Sequence, residues 1–123
     1  MVQANHNLEL AEELVARNPL KFKDWAIIAA FYSAVHFIEA FRATLGSHSR
    51  NHEDRLKFVR DNAERKIEFK FKRLYQNSRS LRYLLNHGKN SPKGDWFKDN
   101  TVKERVKKDL FTIQIYVLNK LVN

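Results

Sequence analysis

The sequence predicts an all-α fold, an antiparallel bundle of four to five helices. Three observations predict it. Apolar residues recur at helical spacing in every long segment. All three glycines and both prolines fall between those segments, where they mark turns. No stretch alternates apolar and polar residues as a half-buried strand would. With 123 residues, the chain is expected to form one domain, 1–123.

The segment 25–45 predicts a buried central helix. Residues 25–38 contain no Asp, Glu, Lys or Arg. One continuous apolar row at helical spacing consists of Ile27, Phe31, Ala34, Ile38, Phe41 and Leu45. The other faces are also largely apolar, which is typical of a bundle centre or of a membrane helix. The uncharged run is shorter than the roughly 20 apolar residues of a membrane span, so no membrane association is expected.

The ends of the first two helices are predicted from local signals. A short helix over 5–17, ended by Asn18 and Pro19, would bury Leu8, Leu10, Leu14 and Val15. Asp24 is a suitable N-cap for the central helix. Gly46 stands where a helix end favours a left-handed residue.

Two further helices and one long loop follow. Ser49 or Asn51 would cap a third helix that runs to about Asp61. A fourth helix is expected from about 63 to 85. Its apolar row consists of Ile67, Phe71, Leu74, Ser78, Leu81 and Leu85. Residues 88–100 form the loop, and we expect Trp96 and Phe97 to fold back onto the core.

The last helix carries two apolar rows. Thr101 and Glu104 fit a capping box at its start. The first row consists of Val102, Val106, Leu110, Ile113, Val117 and Leu121, and the second of Phe111, Ile115, Leu118 and Val122. The second row is explained either by deep packing within one chain or by a homodimer interface.

The net charge of +9 favours a polyanionic partner such as RNA, DNA or an acidic protein. The alternative is a solvated basic surface without a partner. Because Cys is absent, a disulfide framework and a thiolate metal site are excluded. The polar, acidic start of the sequence lacks the pattern of a signal peptide, so a cytoplasmic location is expected.

Common catalytic motifs are missing. The sequence has no glycine-rich phosphate loop, no G-x-S-x-G and no H-E-x-x-H. His48 and His52 have metal-ligand spacing, but His48 is expected to precede its helix, so we expect no metal and no cofactor. His36, His52 and Arg55 are candidates for a polar pocket.

The fourth helix is the most basic element. Its candidate RNA-binding residues are Lys66, Lys70, Lys72, Arg73, Arg79 and Tyr83. Lys66, Lys70 and Arg73 are expected to face water. Tyr75 and Tyr83 would provide stacking surfaces beside the cations, a combination that suits single-stranded RNA. The alternative is a solvated helix face with buried arginine pairs.

Two segments resemble the HEPN superfamily, most closely its small stand-alone prokaryotic branch. They are FYSAVHFIEAF (31–41), followed by a polar turn with His, and LYQNSRSLRYLL (74–85). The resemblance implies a helical bundle that dimerises and acts in stress, toxin–antitoxin or defence systems. It also implies a relation to metal-independent endoribonucleases, which share an R-x4-6-H motif.

Arg82 and His87 fit this motif, and so do Arg42 and His48. The first pair is better placed, beside the basic helix. By the resemblance, His87 would be the general acid or base and Arg82 would stabilise the phosphate. Three functions therefore stay open: a module that binds RNA or a partner protein, a dimeric ribonuclease, and a dimerising scaffold.

Overall fold

The computed structural model describes residues 1–17, 20, 22–86 and 97–122, with only the backbone for 83–86. Four helices lie before residue 87, namely α1 (Val2–Ala16), α2 (Lys23–Thr44), α3 (His52–Asn62) and α4 (Arg65–Asn86). After residue 96 follow α5 (Asp99–Glu104), a π-helical segment (Arg105–Leu110) and α6 (Phe111–Leu121). These three are continuous and are called the last helix. The described residues contain no strand, so the predicted all-α helical bundle is confirmed.

Helix α2 lies at the centre of the bundle and contacts each of the other helices. Its predicted apolar row is buried from Ile27 to Phe41, whereas Leu45, just past the helix, is exposed. The buried Ser33 is satisfied because its Oγ donates a hydrogen bond of 2.7 Å to the Ala4 carbonyl. By length and composition α2 could cross a membrane, but 67% of its most apolar window is buried inside the protein. That burial is what a core helix of a bundle requires.

The neighbours of α2 run in both directions. Helix α1 is antiparallel to α2, since its first turns reach the middle of α2 through Ala4 and Ser33. The last helix is parallel to α2. Lys23 Nζ lies 2.6 Å from Asp99 Oδ1 at one end, and the rings of Phe41 and Tyr116 lie 6.0 Å apart at the other.

Helix α4 is antiparallel to the last helix, and the π-helical segment forms their contact. Asp109 pairs with Arg73. Arg105, one turn earlier, donates a hydrogen bond to Asn77 Oδ1, one turn later on α4. Short π-helical segments within α-helices occur often where a side chain has a special role. Here the segment carries Arg105 and Asp109, both buried.

Two predicted helix ends are confirmed. Gly46 has a φ of +85°, and its N–H donates to the Ala43 carbonyl while the N–H of Ser47 donates to that of Arg42. These bonds complete a glycine-terminated helix end. Asn51 caps α3, because its Oδ1 accepts a 2.8 Å hydrogen bond from the Asp54 N–H.

Two other predicted caps are wrong. Helix α2 begins at Lys23 with Phe22 as N-cap, so Asp24 lies in the first turn, where its charge still suits the helix dipole. The last helix begins at Asp99 with Lys98 as N-cap. Thr101 is therefore already helical and cannot close a capping box with Glu104. In both cases the helix begins earlier than its strongest capping sequence.

Several apolar side chains differ from expectation. Leu10, predicted to be buried, is 42% exposed on α1. Phe97 packs against the core as expected, and Trp96 lies outside the described residues. All of Phe111, Ile115, Leu118 and Val122 are exposed. Deep packing of this second row within one chain is therefore contradicted, and the row is available on the surface of α6.

Candidate nucleic-acid interface

Three cations form a straight row along the outer side of α4. Arg65, Lys72 and Arg79 are spaced seven residues apart and are exposed. Seven residues return to nearly the same side of a helix, within about 20°, after a rise of about 10 Å. None of the three has an ion-pair partner among the residues that the structure describes. We call these three residues the cationic row.

An exposed aromatic ring lies within this row. Phe69 follows Arg65 by four residues and precedes Lys72 by three, and its side chain is 61% exposed. The Arg73 guanidinium lies 4.9 Å from the centre of its ring. Phe69 was not among the residues predicted from the sequence, although its helical spacing from Arg65 was a usable signal. The side chain of Tyr83 lies outside the described portion of the chain.

Tyr75 does not contribute to this surface. It is half-buried and faces the interior, where its ring lies 5.7 Å from that of Phe31 and 5.4 Å from that of His52. The expectation that Tyr75 provides a stacking surface for RNA is therefore wrong, because the ring is already packed on α2 and α3.

Lys70 and Arg73 were predicted to face water, but both are partly buried and pair with Asp109. Lys70 Nζ lies 3.2 Å from Asp109 Oδ1, and Arg73 Nε donates to Asp109 Oδ2 at 2.9 Å. Arg105 Nη1 donates to the same Oδ2, also at 2.9 Å. Asp109 is only 1% exposed. A buried carboxylate requires such partners, and the sequence could not reveal it because the pairs join residues 36 and 39 positions apart. We call these four side chains the Asp109 cluster.

A groove of about 470 Å³ borders the cationic row between α3 and α4. Its charged lining consists of the cations Arg50, Lys57, Arg60 and Lys72 and the carboxylates of Glu53, Asp54 and Glu68. Lys66 lies nearby, exposed, with its Nζ 3.8 Å from Glu64. The groove therefore extends the row of α4 with a surface of mixed charge and a slight cationic excess.

Arg82 is held by groups within the bundle. Its Nη1 donates to Tyr32 Oη at 2.9 Å and its Nε to the Ser78 carbonyl at 3.3 Å. The guanidinium also lies over the rings of Phe31 and Tyr32, at 5.5 and 5.6 Å. His87 lies outside the described residues, so the pairing of Arg82 with His87 stays a prediction.

Arg42 and His48, the second match to the R-x4-6-H motif, have different environments. Arg42 lies 3.3 Å from Asp54 Oδ2 and over the ring of Phe58 at 4.9 Å, where it fastens α3 to α2. His48 is exposed in the turn that precedes α3, as predicted. The described residues include no group of three His, Cys, Asp or Glu side chains that could hold a metal ion.

The predicted polar pocket is partly assembled. Arg55 Nη1 donates to His52 Nδ1 at 2.7 Å, and Arg55 Nε to Glu39 Oε2 at 2.9 Å. His36 lies one turn before Glu39 on α2, half-buried. Glu39 also accepts a hydrogen bond of 2.9 Å from the Ser49 N–H. Glu39 carries the negative charge that holds Arg55 in place, and it was not among the residues predicted from the sequence.

The pKa values follow from this packing. Burial, followed by the charges of Arg55 and Arg82, lowers the pKa of His52 below its ordinary value. Burial and then Arg55 likewise lower the pKa of His36. Burial alone would raise the pKa of Glu39, but hydrogen bonds from Ser49 and Arg55 outweigh it and lower that pKa. Near neutral pH the pocket therefore holds two neutral imidazoles, one carboxylate and one guanidinium.

Comparison with protein-family models, with curated proteins and with solved structures finds no match to this chain. The relation to the HEPN superfamily stays a prediction that depends on the residue pattern in 31–41 and 74–85.

Proposed function

We propose that this chain is a HEPN-like helical module that binds single-stranded RNA through the outer side of α4. The observation that carries the proposal is the cationic row of Arg65, Lys72 and Arg79, with the exposed ring of Phe69 between two of its members. Regularly spaced cations follow a phosphate backbone, and an exposed ring stacks on bases of any sequence. The setting in a stress, toxin–antitoxin or defence system comes from the resemblance alone.

Because of the Asp109 cluster, Lys70 and Arg73 are unsuitable for a mutational test of RNA binding. Replacing Lys70 or Arg73 would remove partners of a buried carboxylate, so lost affinity could reflect lost stability. Arg65, Lys72 and Arg79 lack this complication, because they are exposed and have no ion-pair partner among the described residues.

The test is RNA affinity across a range of salt concentrations. Replacing Arg65, Lys72 and Arg79 together by Gln should weaken binding and reduce the slope of log affinity against log salt by about 2, since each phosphate contact on a single strand contributes about 0.7. The matched control replaces Lys103, Lys107 and Lys108, three exposed lysines of the last helix, with the same loss of charge. Equal effects of both triple variants, or affinity independent of salt, would reject the proposal.

A metal-independent ribonuclease is the second candidate, and one observation favours keeping it. The His52 ring and the Arg82 guanidinium lie 5.6 and 5.5 Å from the centre of the Phe31 ring, and Arg55 donates a hydrogen bond to His52. Arginines and a neutral imidazole are therefore neighbours even apart from His87. Because His52 Nδ1 already accepts a hydrogen bond from Arg55, the neutral ring carries its proton on Nε2 and can donate it, while a guanidinium can stabilise a phosphate.

This candidate is tested by incubating the protein with single-stranded RNA in EDTA. Cleavage should occur, and it should be lost in His87→Ala if the resemblance assigns the right imidazole, or in His52→Ala if the neighbouring one serves. Cleavage by both variants at the parent rate would contradict the candidate.

We further propose that the chain forms a homodimer through α6. Phe111, Ile115, Leu118 and Val122 are spaced 4, 3 and 4 residues apart, which is the heptad spacing of a two-helix seam. A second copy of the chain presents the same apolar row, so the two rows can pack against each other in a two-fold symmetric interface. If RNA binding is absent but the dimer is stable, the scaffold function remains.

A further inference from the structure

A groove of about 350 Å³ lies between α1 and α2, apart from the α3–α4 surface. Its floor includes Ile28 and Ala29, both buried. Trp25 and Leu10 stand beside them, 54% and 42% exposed. An indole that is 54% exposed on such an apolar helix has ring surface that the described residues leave uncovered. A flat apolar ligand would cover this face.

The other end of the groove is polar, and cations lie behind its lining. Tyr32 and His36, one turn apart on α2, line it. Arg82 Nη1 donates to Tyr32 Oη at 2.9 Å, so its charge lies directly behind this end. Arg55 acts on His36 from α3 and contributes to lowering its pKa. No carboxylate belongs to the described lining of the groove. Glu39 also acts on His36, but it is paired with Arg55, so the charge of Arg82 favours an anionic group here.

Two amides of α1 complete the lining. Gln3 Nε2 donates to Asn7 Oδ1 at 3.3 Å, which leaves one amide oxygen and one amide NH₂ without a partner among the described residues. This pair can both donate and accept a hydrogen bond. The groove can therefore accept an aromatic ring with polar atoms at its edge as well as a hydrocarbon ring.

We propose that the α1–α2 groove binds a planar aromatic anion. Its ring lies against Trp25 over Ile28 and Ala29, and its carboxylate or phosphate lies at the end formed by Tyr32 and His36, with Arg82 as the source of positive charge. The volume is at the lower limit of small-molecule sites and fits one such molecule. A free aromatic acid and a nucleoside monophosphate share this chemistry. The inference goes beyond the proposed function and does not depend on the cationic row.

The test is a calorimetric titration of the full chain with four probes. 2-Naphthoate and adenosine 5′-monophosphate each combine a ring system with an anion, whereas decanoate lacks the ring and adenosine lacks the anion. At least one aromatic anion should bind, and about 10-fold more tightly than decanoate or adenosine. Binding of naphthoate alone identifies a free aromatic acid, and binding of the nucleotide alone identifies a nucleotide. No binding at millimolar concentration, or equal binding of decanoate or adenosine, overturns the proposal.

Variants locate the site. Trp25→Ala should weaken binding of the aromatic anion about 10-fold, as expected for the loss of one stacking contact, and Trp25→Phe should restore most of it. Because Trp25 is 54% exposed, folding should be unaffected. In a Trp96→Phe background, the remaining indole emission should change on titration. Parent-like binding by Trp25→Ala overturns the proposal.

The charge requirement has its own pair of variants. Arg82→Gln should weaken binding of the aromatic anion, and Arg82→Lys should partly restore it. His36→Gln replaces a neutral ring, so it tests contact with the anion at this end of the groove and not charge. It is the second variant if Arg82→Gln unfolds the chain. The triple Gln variant of Arg65, Lys72 and Arg79 should keep parent affinity for the probe. That result separates failure of the RNA proposal from failure of this one. Unchanged binding in both Arg82→Gln and His36→Gln overturns it.

Discussion

Asp109 illustrates how a single residue can determine the contact between two helices. A carboxylate that is 1% exposed would be costly to ionise alone, but it receives Lys70, Arg73 and Arg105. Two of these cations come from α4 and one from the π-helical segment. The cluster therefore adds directed ion pairs to the contact between α4 and the last helix.

Asp109→Asn should lower the free energy of unfolding by about 3 kcal/mol, because three cations then lose their shared carboxylate. The measurement is urea unfolding followed by circular dichroism. Asp61→Asn is the matched control, since Asp61 pairs with Arg60 in an exposed ion pair, and should cost under about 1 kcal/mol. Equal effects of the two substitutions would show that the cluster contributes no more than a surface pair.

His52 illustrates a second effect at the residue scale. It lies against the rings of Phe31 and Tyr75, accepts a hydrogen bond from Arg55, and has Arg82 nearby. A proton on this imidazole is opposed first by burial and then by the guanidiniums of Arg55 and Arg82.

Stability should consequently fall in mild acid. The folded pKa values of His52 and His36 are lowered, so below the unfolded pKa of about 6.5 the unfolded state binds protons that the folded state does not. The loss should begin as the pH falls below about 6.5 and continue towards the folded pKa values. Between pH 7.5 and 5.5 we expect a loss on the order of 1 kcal/mol, measured by urea unfolding.

The double variant His36→Gln/His52→Gln should remove most of this pH dependence. An unchanged slope in the double variant would mean that other groups cause it.

At the scale of helices, α6 has two faces with different partners. Ile113 and Val117 are buried against the bundle, whereas Ile115 and Leu118 are 41% and 37% exposed. A helix needs one apolar face to join a bundle. The second face has no partner among the described residues of its own chain.

The proposed dimer predicts a mass of twice the 14.6 kDa of one chain in sedimentation or light scattering. Ile115→Asp/Leu118→Asp should yield monomers, because two charges would be buried in the seam. Asn100→Asp/Lys103→Gln, exposed residues near the other end of the last helix, changes the charge equally and should leave the dimer intact. A monomeric parent protein would contradict the prediction.

The helix ends also show what local sequence can predict. Gly46 and Asn51 were identified correctly because a left-handed turn and a side-chain cap are properties of a few neighbouring residues. Asp24 and the pair Thr101–Glu104 were misassigned. In those places tertiary packing extends the helix beyond its best capping signal, with Lys23 reaching the Phe97 carbonyl at 3.2 Å.

At the scale of the whole molecule, the buried apolar residues could be predicted from the sequence. Whether each lysine or arginine faces water or pairs with a carboxylate could not. Periodicity identified Ile67, Phe71 and Leu74 as buried because burial repeats with the helix. Whether a lysine faces water or a carboxylate depends on which helices are neighbours. Lys70 and Lys72 look alike in sequence, yet one belongs to the Asp109 cluster and the other to the cationic row.

The Asp109 cluster joins the helix that carries the cationic row to the helix that carries the exposed apolar row. In the proposed dimer, the two copies of the row would therefore stand at a fixed separation instead of moving independently. A strand long enough to span both copies would bind the second one intramolecularly, at a high effective concentration, whereas a short strand would meet each copy alone. The protein would then discriminate RNA by length without reading a single base.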